Sequence, residues 1–433
     1  MNNQKKSFIV AITTIVAILL TVFLLANHFG NNTCPIYKLL LAPILTLGSD
    51  GGATIIAICV FLLIIGGVSN CLNNCGFIEY MLNKIVNKYR KQKYTLLAVI
   101  ILFFMFLGSI IGSFEEAVPV VPIAVSLAIG LGFDAFVGIA ISFLAVGCGF
   151  ATGVANPFNI GVGQGIANLP LYSGVSLRLL SFVLIYVLLV AYVIRHAKKV
   201  EKDIDSTKLD NFVKDDKKEE ALTIFATIFG IGIVNVLLSP FLTFLQDYTI
   251  IIIALTFLIA GLFASHIVYD DSKTIAKHFL AGVIEFLPSL VLILLASSIK
   301  YIVEATGFLD VMIDYLIAIS SGMNKGALIL FIYFICLLLE IFIPSGSAKA
   351  FVLLPLVLPI AQKFGISSQL VILAYAFGDG FANVLYPTNP ALIICLSLVN
   401  ENFGSWIKNT WKFFIVNYIL TCGILLFGLF IGY

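Results

Sequence analysis

Residues 147–159 read GCGFATGVANPFN. The stretch lies inside an apolar region, yet it carries small residues and an Asn-Pro step that a plain membrane helix does not need. Pro157 lacks a backbone donor and clashes with the preceding turn, so a helix running through it is expected to break or kink. A break frees amides and carbonyls. At membrane depth these need buried protein, a cavity, a ligand or an ion as partners. Residues 380–391, GFANVLYPTNPA, form a twin, with Asn389-Pro390 standing where Asn156-Pro157 stands in the first.

The chain around these stretches has the composition of a polytopic membrane protein. Of its 433 residues 61% are hydrophobic and 11% charged, with a mean hydropathy of +1.09. Soluble domains carry about 25% charged residues. Apolar runs recur at 8–28, 53–68, 177–194, 221–238, 250–265, 281–298 and 413–432, close to the length of about 20 residues that crosses a bilayer. The first run follows a short basic start and is long enough to be a permanent span rather than a cleaved leader. The eight cysteines fall mostly within apolar runs and read as small buried hydrophobes. Cys71 and Cys75 have no second Cys/His pair to complete a metal set.

Within residues 71–93, Ile78, Met81, Leu82, Ile85 and Val86 recur at helical spacing beside Lys84, Lys88, Arg90, Lys91 and Lys93. This predicts an amphipathic helix at the membrane surface, ending in a basic turn. Residues 195–220 are the one long soluble stretch. They are rich in lysine and read as a linker between two halves.

An ungapped shift of 233 positions lays the halves on each other. Pro122 falls on Pro355, Gly132 on Gly365, Gly147 on Gly380, Asn156 on Asn389 and Pro157 on Pro390. Basic residues at Lys5, Lys6, 84–93 and 195–218 are expected to face the cytoplasm, which puts the N-terminus there. Residues 94–130 then form a re-entrant hairpin and 136–171 a broken helix in a first repeat, 1–194. The linker 195–220 and a connecting span, 221–239, follow. The second repeat, 240–433, is inverted, with its hairpin at 327–363 and its broken helix at 371–396. The expectation is an all-α membrane fold with about nine crossings.

Inverted halves with helices broken at matching places point to a secondary transporter with a site near the midplane. A channel would need a selectivity ring or a continuous polar pore. An ATP-driven pump would need a nucleotide domain, and no GxxxxGK[ST] stretch occurs. An enzyme would need a convergent cluster, whereas His28, His196, His266 and His278 all sit near span ends.

Candidate site residues gather at the breaks and hairpin tips. Asn156 and Asn389 offer both donor and acceptor to a substrate or cation, or they cap the half-helices and only repair the backbone. Glu115 and Glu116 lie in an apolar region, where acids are costly and by default functional. They would bind a cation, a proton or a substrate amine, or form a structural pair, for example with Arg178. At the opposite tip, Ser345, Ser347 and Lys349 would receive a carboxylate, or Lys349 would neutralise an acid. Thr388 is a further oxygen ligand. Asn159 and Asp379 join Asn156 and Asn389 as ion-coupling candidates. Glu340, Asp310 and Asp314 are placed nearer the interfaces. An acidic tip facing a basic, hydroxyl-bearing one would suit a zwitterion.

The segments GSFEEAVPVVPIAVSLAIGLGFD, GFATGVANPFNIGVGQGIANLPLYSG with Arg178, IPSGSAKAFVLLPLVLPIAQKFGIS and FGDGFANVLYPTNP resemble the YfcC-like, or anaerobic C4-dicarboxylate carrier-like, family of bacterial permeases in the ion transporter superfamily. The resemblance covers nearly the whole chain. It implies a scaffold domain that dimerises and a transport domain, built from two hairpins and two broken helices, that moves as an elevator. Glu115/Glu116 and 345–349 match its tip positions, and Asn156-Pro157 and Thr388-Asn389 its break positions. Two departures fall at that site: Lys349 where the family usually has glutamine, and Pro387-Thr388-Asn389-Pro390 where it usually has Pro-Thr-Ser-Gly.

The expectation is therefore a non-enzymatic secondary transporter in the bacterial cytoplasmic membrane. Its solute bears a carboxylate and is taken to be an amino acid, by basic amino acid exchange or ion-coupled uptake; the alternative is a Na⁺- or H⁺-coupled C4-dicarboxylate carrier. No cofactor is expected beyond a coupling Na⁺ or H⁺. The expected partners are the solute, the lipid bilayer and a second copy of the chain, and not nucleic acid.

Overall fold

The computed structural model describes residues 3–49, 52–112, 114–170, 173–202, 214–238, 248–320, 322–344 and 346–433. All the regular structure among them is helical. The first half runs α1 (Asn3–Phe29), α2 (Ile36–Leu45), α3 (Gly52–Asn74), α4 (Phe77–Tyr89), α5 (Lys93–Ile111), α6 (Val121–Gly130), α7 (Ala135–Thr152), α8 (Val162–Ile166) and α9 (Val175–Val200). The second runs α10 (Asp216–Leu238), α11 (Thr249–Tyr269), α12 (Ser272–Thr306), α13 (Phe308–Ser320), α14 (Lys325–Leu339), α15 (Gly346–Lys363), α16 (Ser368–Asn383), α17 (Pro390–Leu398) and α18 (Phe403–Phe430).

Among the described residues five helices are long and apolar enough to cross a membrane, six if the two arms of α12, bent by 40°, count as one. The expected nine draw also on 8–28, 221–238 and 250–265, some of whose side chains are outside the described set. Two boundaries move. Helix α9 continues to Val200, with Lys198 and Lys199 in its last turn opposing the helix dipole, and α10 begins at Asp216. The stretch between the two helices is therefore shorter than the linker expected at 195–220. The span expected at 281–298 belongs to a longer helix, α12, whose first turn is capped by the Asp271 carboxylate.

Two groups of helices pack around different seams. In the outer group α3 and α12 touch along glycines. A Cβ on Gly282 would overlap the Gly66 carbonyl oxygen, and one on Gly66 would strike the Phe286 ring. Small residues are what let helices approach this closely where lipid supplies no hydrophobic drive. Helices α1, α2, α10 and α11 complete this group.

The inner group is centred on α7 and α16. Of the α7 span 94% is buried within the protein, against 39% for α5, α9 and α18, so α7 is enclosed by other helices rather than by lipid. Every residue of α16 from Leu370 to Asn383 is likewise buried. The helix pairs α5/α6 and α14/α15 flank this centre. Helix α5 packs on α7 and α14 on α16, while α6 reaches across to α17 and α15 to α8. Each pair thus grips the first arm of its own broken helix and the second arm of the other.

Candidate functional site

Helices α7 and α16 cross at their glycines. A Cβ on Gly147 would overlap Val384 Cγ1, and a Cβ on Gly380 would overlap Ala151 Cα. The shift of 233 that carries Gly147 onto Gly380 also carries Ala151 onto Val384. The two contacts therefore exchange partners, as contacts across a two-fold axis do. Just beyond the crossing both helices end.

The agent of the first break is not the proline expected from sequence. Helix α7 stops at Gly153, whose left-handed backbone (φ 53°) caps it. Pro157 begins the next turn, where a missing N–H is harmless. Asn156 and Asn159 both aim their side-chain amides at the Phe150 carbonyl, at 3.5 and 3.2 Å. That carbonyl is one of those freed by the helix end. Asn156 Oδ1 accepts from the Asn159 amide at 3.3 Å and lies against Gly112, which ends α5 in a left-handed turn. A backbone bond from Ala155 N–H to Ser109 O, 3.0 Å, ties the same turn to the break.

The second break follows the same logic with different chemistry. Helix α16 stops at Asn383. Pro390 opens α17, and Asn389 caps it, its Oδ1 accepting from the Ala391 amide at 2.8 Å. The Asn389 side-chain amide donates to Asn383 Oδ1, and Asn383 Nδ2 donates to the Asp379 carbonyl at 2.8 Å. Thr388 Oγ1 donates to the Glu340 carbonyl at 3.4 Å, joining this break to the end of α14. Asn156, Asn159, Thr388 and Asn389 are all buried. Their hydrogen bonds go largely to backbone groups that the breaks set free.

A charge cluster lies where the second hairpin meets α16. Lys349, in the first turn of α15, is fully buried. Its ammonium donates to Glu340 Oε2 and stands 2.9 Å from Asp379 Oδ1. Both acids are fully buried as well. Glu340, expected nearer the interfaces, is thus enclosed by other helices and paired with Lys349. Its signal in the sequence was a lone acid in residues 327–342, nine positions before Lys349.

Lys349 and Asp379, both expected at the site, are brought into direct contact. The backbone of Glu115 and Glu116 forms a short 3₁₀ turn, Glu115–Val120, packed on α17. Their side chains lie outside the described residues, as do Ser345 and the side chain of Ser347. Arg178 is buried on α9 near Tyr433. Among the described residues no group of three or more His, Cys, Asp or Glu side chains could hold a metal ion.

With this geometry in place, comparison with known proteins decides the family. The model of the C4-dicarboxylate anaerobic carrier family matches residues 7–429, which takes in both breaks and both hairpins. The chain belongs to that family. A protein of Escherichia coli (strain K12), provisionally named the basic amino acid antiporter YfcC, is 26% identical over 391 residues, 84% of this chain and 75% of that protein. An uncharacterized protein of Haemophilus influenzae (strain Rd) is 26% identical over 383 residues, 83% of this chain and 72% of that one. Among solved structures, the Alcanivorax borkumensis YdaH transporter is 17% identical with a TM-score of 0.46, covering 98% of this chain and 99% of its own. Neisseria gonorrhoeae MtrF is 13% identical with a TM-score of 0.45, covering 96% and 94%. The family is one of transporters, not enzymes. The chain is a bacterial multi-pass membrane protein that moves a small polar or charged solute by secondary active transport.

Proposed function

We propose that this transporter is a cation-coupled carrier of C4-dicarboxylates that works at the paired helix breaks. The family match over residues 7–429 carries the choice of solute and moves it from the amino acid first expected to the dicarboxylate alternative. The charges at the site support coupling to a cation. Among the described residues of the cluster two buried carboxylates outnumber the one buried ammonium, so a dianion arriving alone would meet repulsion in a low-dielectric site. Cations entering with it remove that repulsion. The substrate would lie against Glu115, Glu116, Asn156, Ser345, Ser347, Lys349, Thr388 and Asn389. Asn156, Asn159, Asp379 and Asn389 would serve the coupling ion, Na⁺ or H⁺. The N-terminus of α17 adds the positive end of its dipole.

The packing into two groups of helices supports a larger motion. Residues 1–194 and 240–433 form two inverted repeats joined by the linker 195–220 and the helix 221–239. The exchanged Gly147–Val384 and Gly380–Ala151 contacts support this reading. The inner helices slide as an elevator against the outer group, which dimerises, and the N-terminus is cytoplasmic. A second reading, exchange of basic amino acids, draws on the Escherichia coli relative provisionally named for that activity.

Thermal unfolding of the detergent-purified protein separates the two solutes. A ligand that binds only the folded state at 100 times its Kd stabilises by about 2.7 kcal/mol. Succinate, fumarate or malate are expected to raise the midpoint, and lysine, arginine and ornithine to leave it in place. The reverse pattern would favour the second reading and remove the first.

A further inference from the structure

The cluster between the second hairpin and α16 carries more negative charge than it has partners for. In their ordinary ionised forms two carboxylates face one ammonium. The ammonium engages Glu340 Oε2 and Asp379 Oδ1. Among the described residues Glu340 Oε1 and both Asp379 oxygens are buried without a hydrogen-bond partner, Oδ1 having only the ammonium's charge 2.9 Å away. A buried carboxylate oxygen without a donor is strongly unfavourable, because it has left water and received nothing in exchange. One added proton removes both faults. It brings the cluster to formal neutrality, and as a carboxylic O–H it donates to an oxygen that is otherwise bare. Paired carboxylates that hold a single proton between them follow this logic, since like charges at close range cannot both stay ionised.

We infer that Glu340 and Asp379, held against Lys349, form a seat for one exchangeable proton, and that the seat is emptied when the second hairpin tip lifts from α16. This rests on the reading of a cation-coupled carrier and names its cation. Two contacts tie the seat to the tip and a third ties it to the second break. Gly346 stands on the Asp379 carboxylate, where a Cβ would come within 2.6 Å of Oδ2. Tyr375 of α16 donates to the Gly346 carbonyl, and Thr388 of the second break donates to the Glu340 carbonyl. Lifting the tip takes Lys349 away from Asp379 and lets water reach both acids.

Among the described residues, the other titratable groups facing the cluster are Cys336 on α14, Tyr375 on α16 and Tyr386 in the break. All three are neutral in their ordinary forms at pH 7 and supply no positive charge. The Lys349 ammonium already occupies the space between the acids, where a sodium ion would have to sit. A proton needs no such space. In the loaded state the proton also lowers the repulsion that a dianionic solute would feel.

The test uses the full chain in proteoliposomes. The solute is whichever member of a panel of succinate, malate, lysine, arginine and ornithine exchanges without a gradient. A pH gradient (acid outside), a sodium gradient or neither is imposed with the voltage clamped, on wild type, Glu340→Gln and Asp379→Asn. A trapped pH dye follows proton entry. Wild type is expected to accumulate solute under the pH gradient, approaching about tenfold per pH unit for one proton carried, with proton entry seen by the dye. Both variants, if monodisperse, are expected to fall to the level seen without a gradient. A wild type that follows sodium and moves no proton overturns the proposal, whatever the variants do. So does pH-driven accumulation that persists unchanged in both variants. If one variant does not fold, the other and the wild-type dye signal decide. Exchange of ornithine but not succinate would remove the dicarboxylate reading alone, since the pH arm run with ornithine still tests the seat.

Discussion

Lys349 is the residue on which the second hairpin tip depends. Removing its ammonium leaves two buried carboxylates with no counter-charge, and breaking a buried pair in this way costs about 3–5 kcal/mol. Lys349→Met is therefore expected to lower the thermal midpoint sharply. Adding Glu340→Gln or Asp379→Asn to it should recover part of the loss; additive losses in that double-mutant series would argue against the cluster. The crossing glycines make a second prediction. At Gly147 an added methyl meets the end of the Val384 side chain, which can rotate away, whereas at Gly380 it meets the Ala151 main chain, which cannot. Gly380→Ala should destabilise by more than Gly147→Ala, within the range of about 1–3 kcal/mol typical of overpacking, and equal midpoints in chemical or thermal unfolding would contradict this. The sequence pointed to Lys349 and Asp379 because charge in an apolar run demands a reason. It could not show that they pair with Glu340, because that contact joins three helices whose relative placement is tertiary.

Both breaks could be located from the sequence, but their cause could not. Asn-Pro marks the place in each half, yet the helices end earlier, at Gly153 and Asn383, and each proline opens the following arm. Proline signals a boundary of either kind, an end behind it or a start at it, and only the glycine's backbone angle separates the two. Capping by Asn389 is worth about 1 kcal/mol, so Asn389→Ala should lower stability by about that much, while Asn389→Asp or Asn389→Ser, which keep the capping oxygen, should lower it less. A loss of the same size in all three would show that the Asn383 contact matters more than the cap. At the far end of α9, Glu201 accepts from Lys93 and from the Tyr94 hydroxyl, and these bonds hold its carboxyl below the usual range for glutamate. Backbone and side-chain bonds from Lys202 to Gly132 and from His196 to Asp134 close the same junction. A carboxyl depressed in the folded state stabilises fully above its unfolded value, about 4.3, and loses that contribution as pH falls below it. The midpoint of unfolding should drop across this acid window, and Glu201→Gln should flatten the drop. An unchanged pH profile in that variant would mean the junction contributes nothing.

Across the whole molecule the arrangement reads as two halves that hold each other's broken helices. Each hairpin pairs with the first arm of its own break and the second arm of the other, and the crossing glycines trade partners under the same shift that aligns the sequences. The crossing of the two broken helices was legible in part because glycine and proline recur at the same offset of 233 in both halves. The solute was not legible, because an acidic tip suits an amine and also suits a carboxylate that arrives with cations. The family match shifts that balance toward the dicarboxylate. Counterflow in proteoliposomes tests this claim most directly: vesicles loaded with unlabelled succinate, and others loaded with ornithine, are each offered the same solute in labelled form outside. Saturable uptake of labelled succinate, with none of ornithine, is the predicted result. Uptake of ornithine with none of succinate would contradict it.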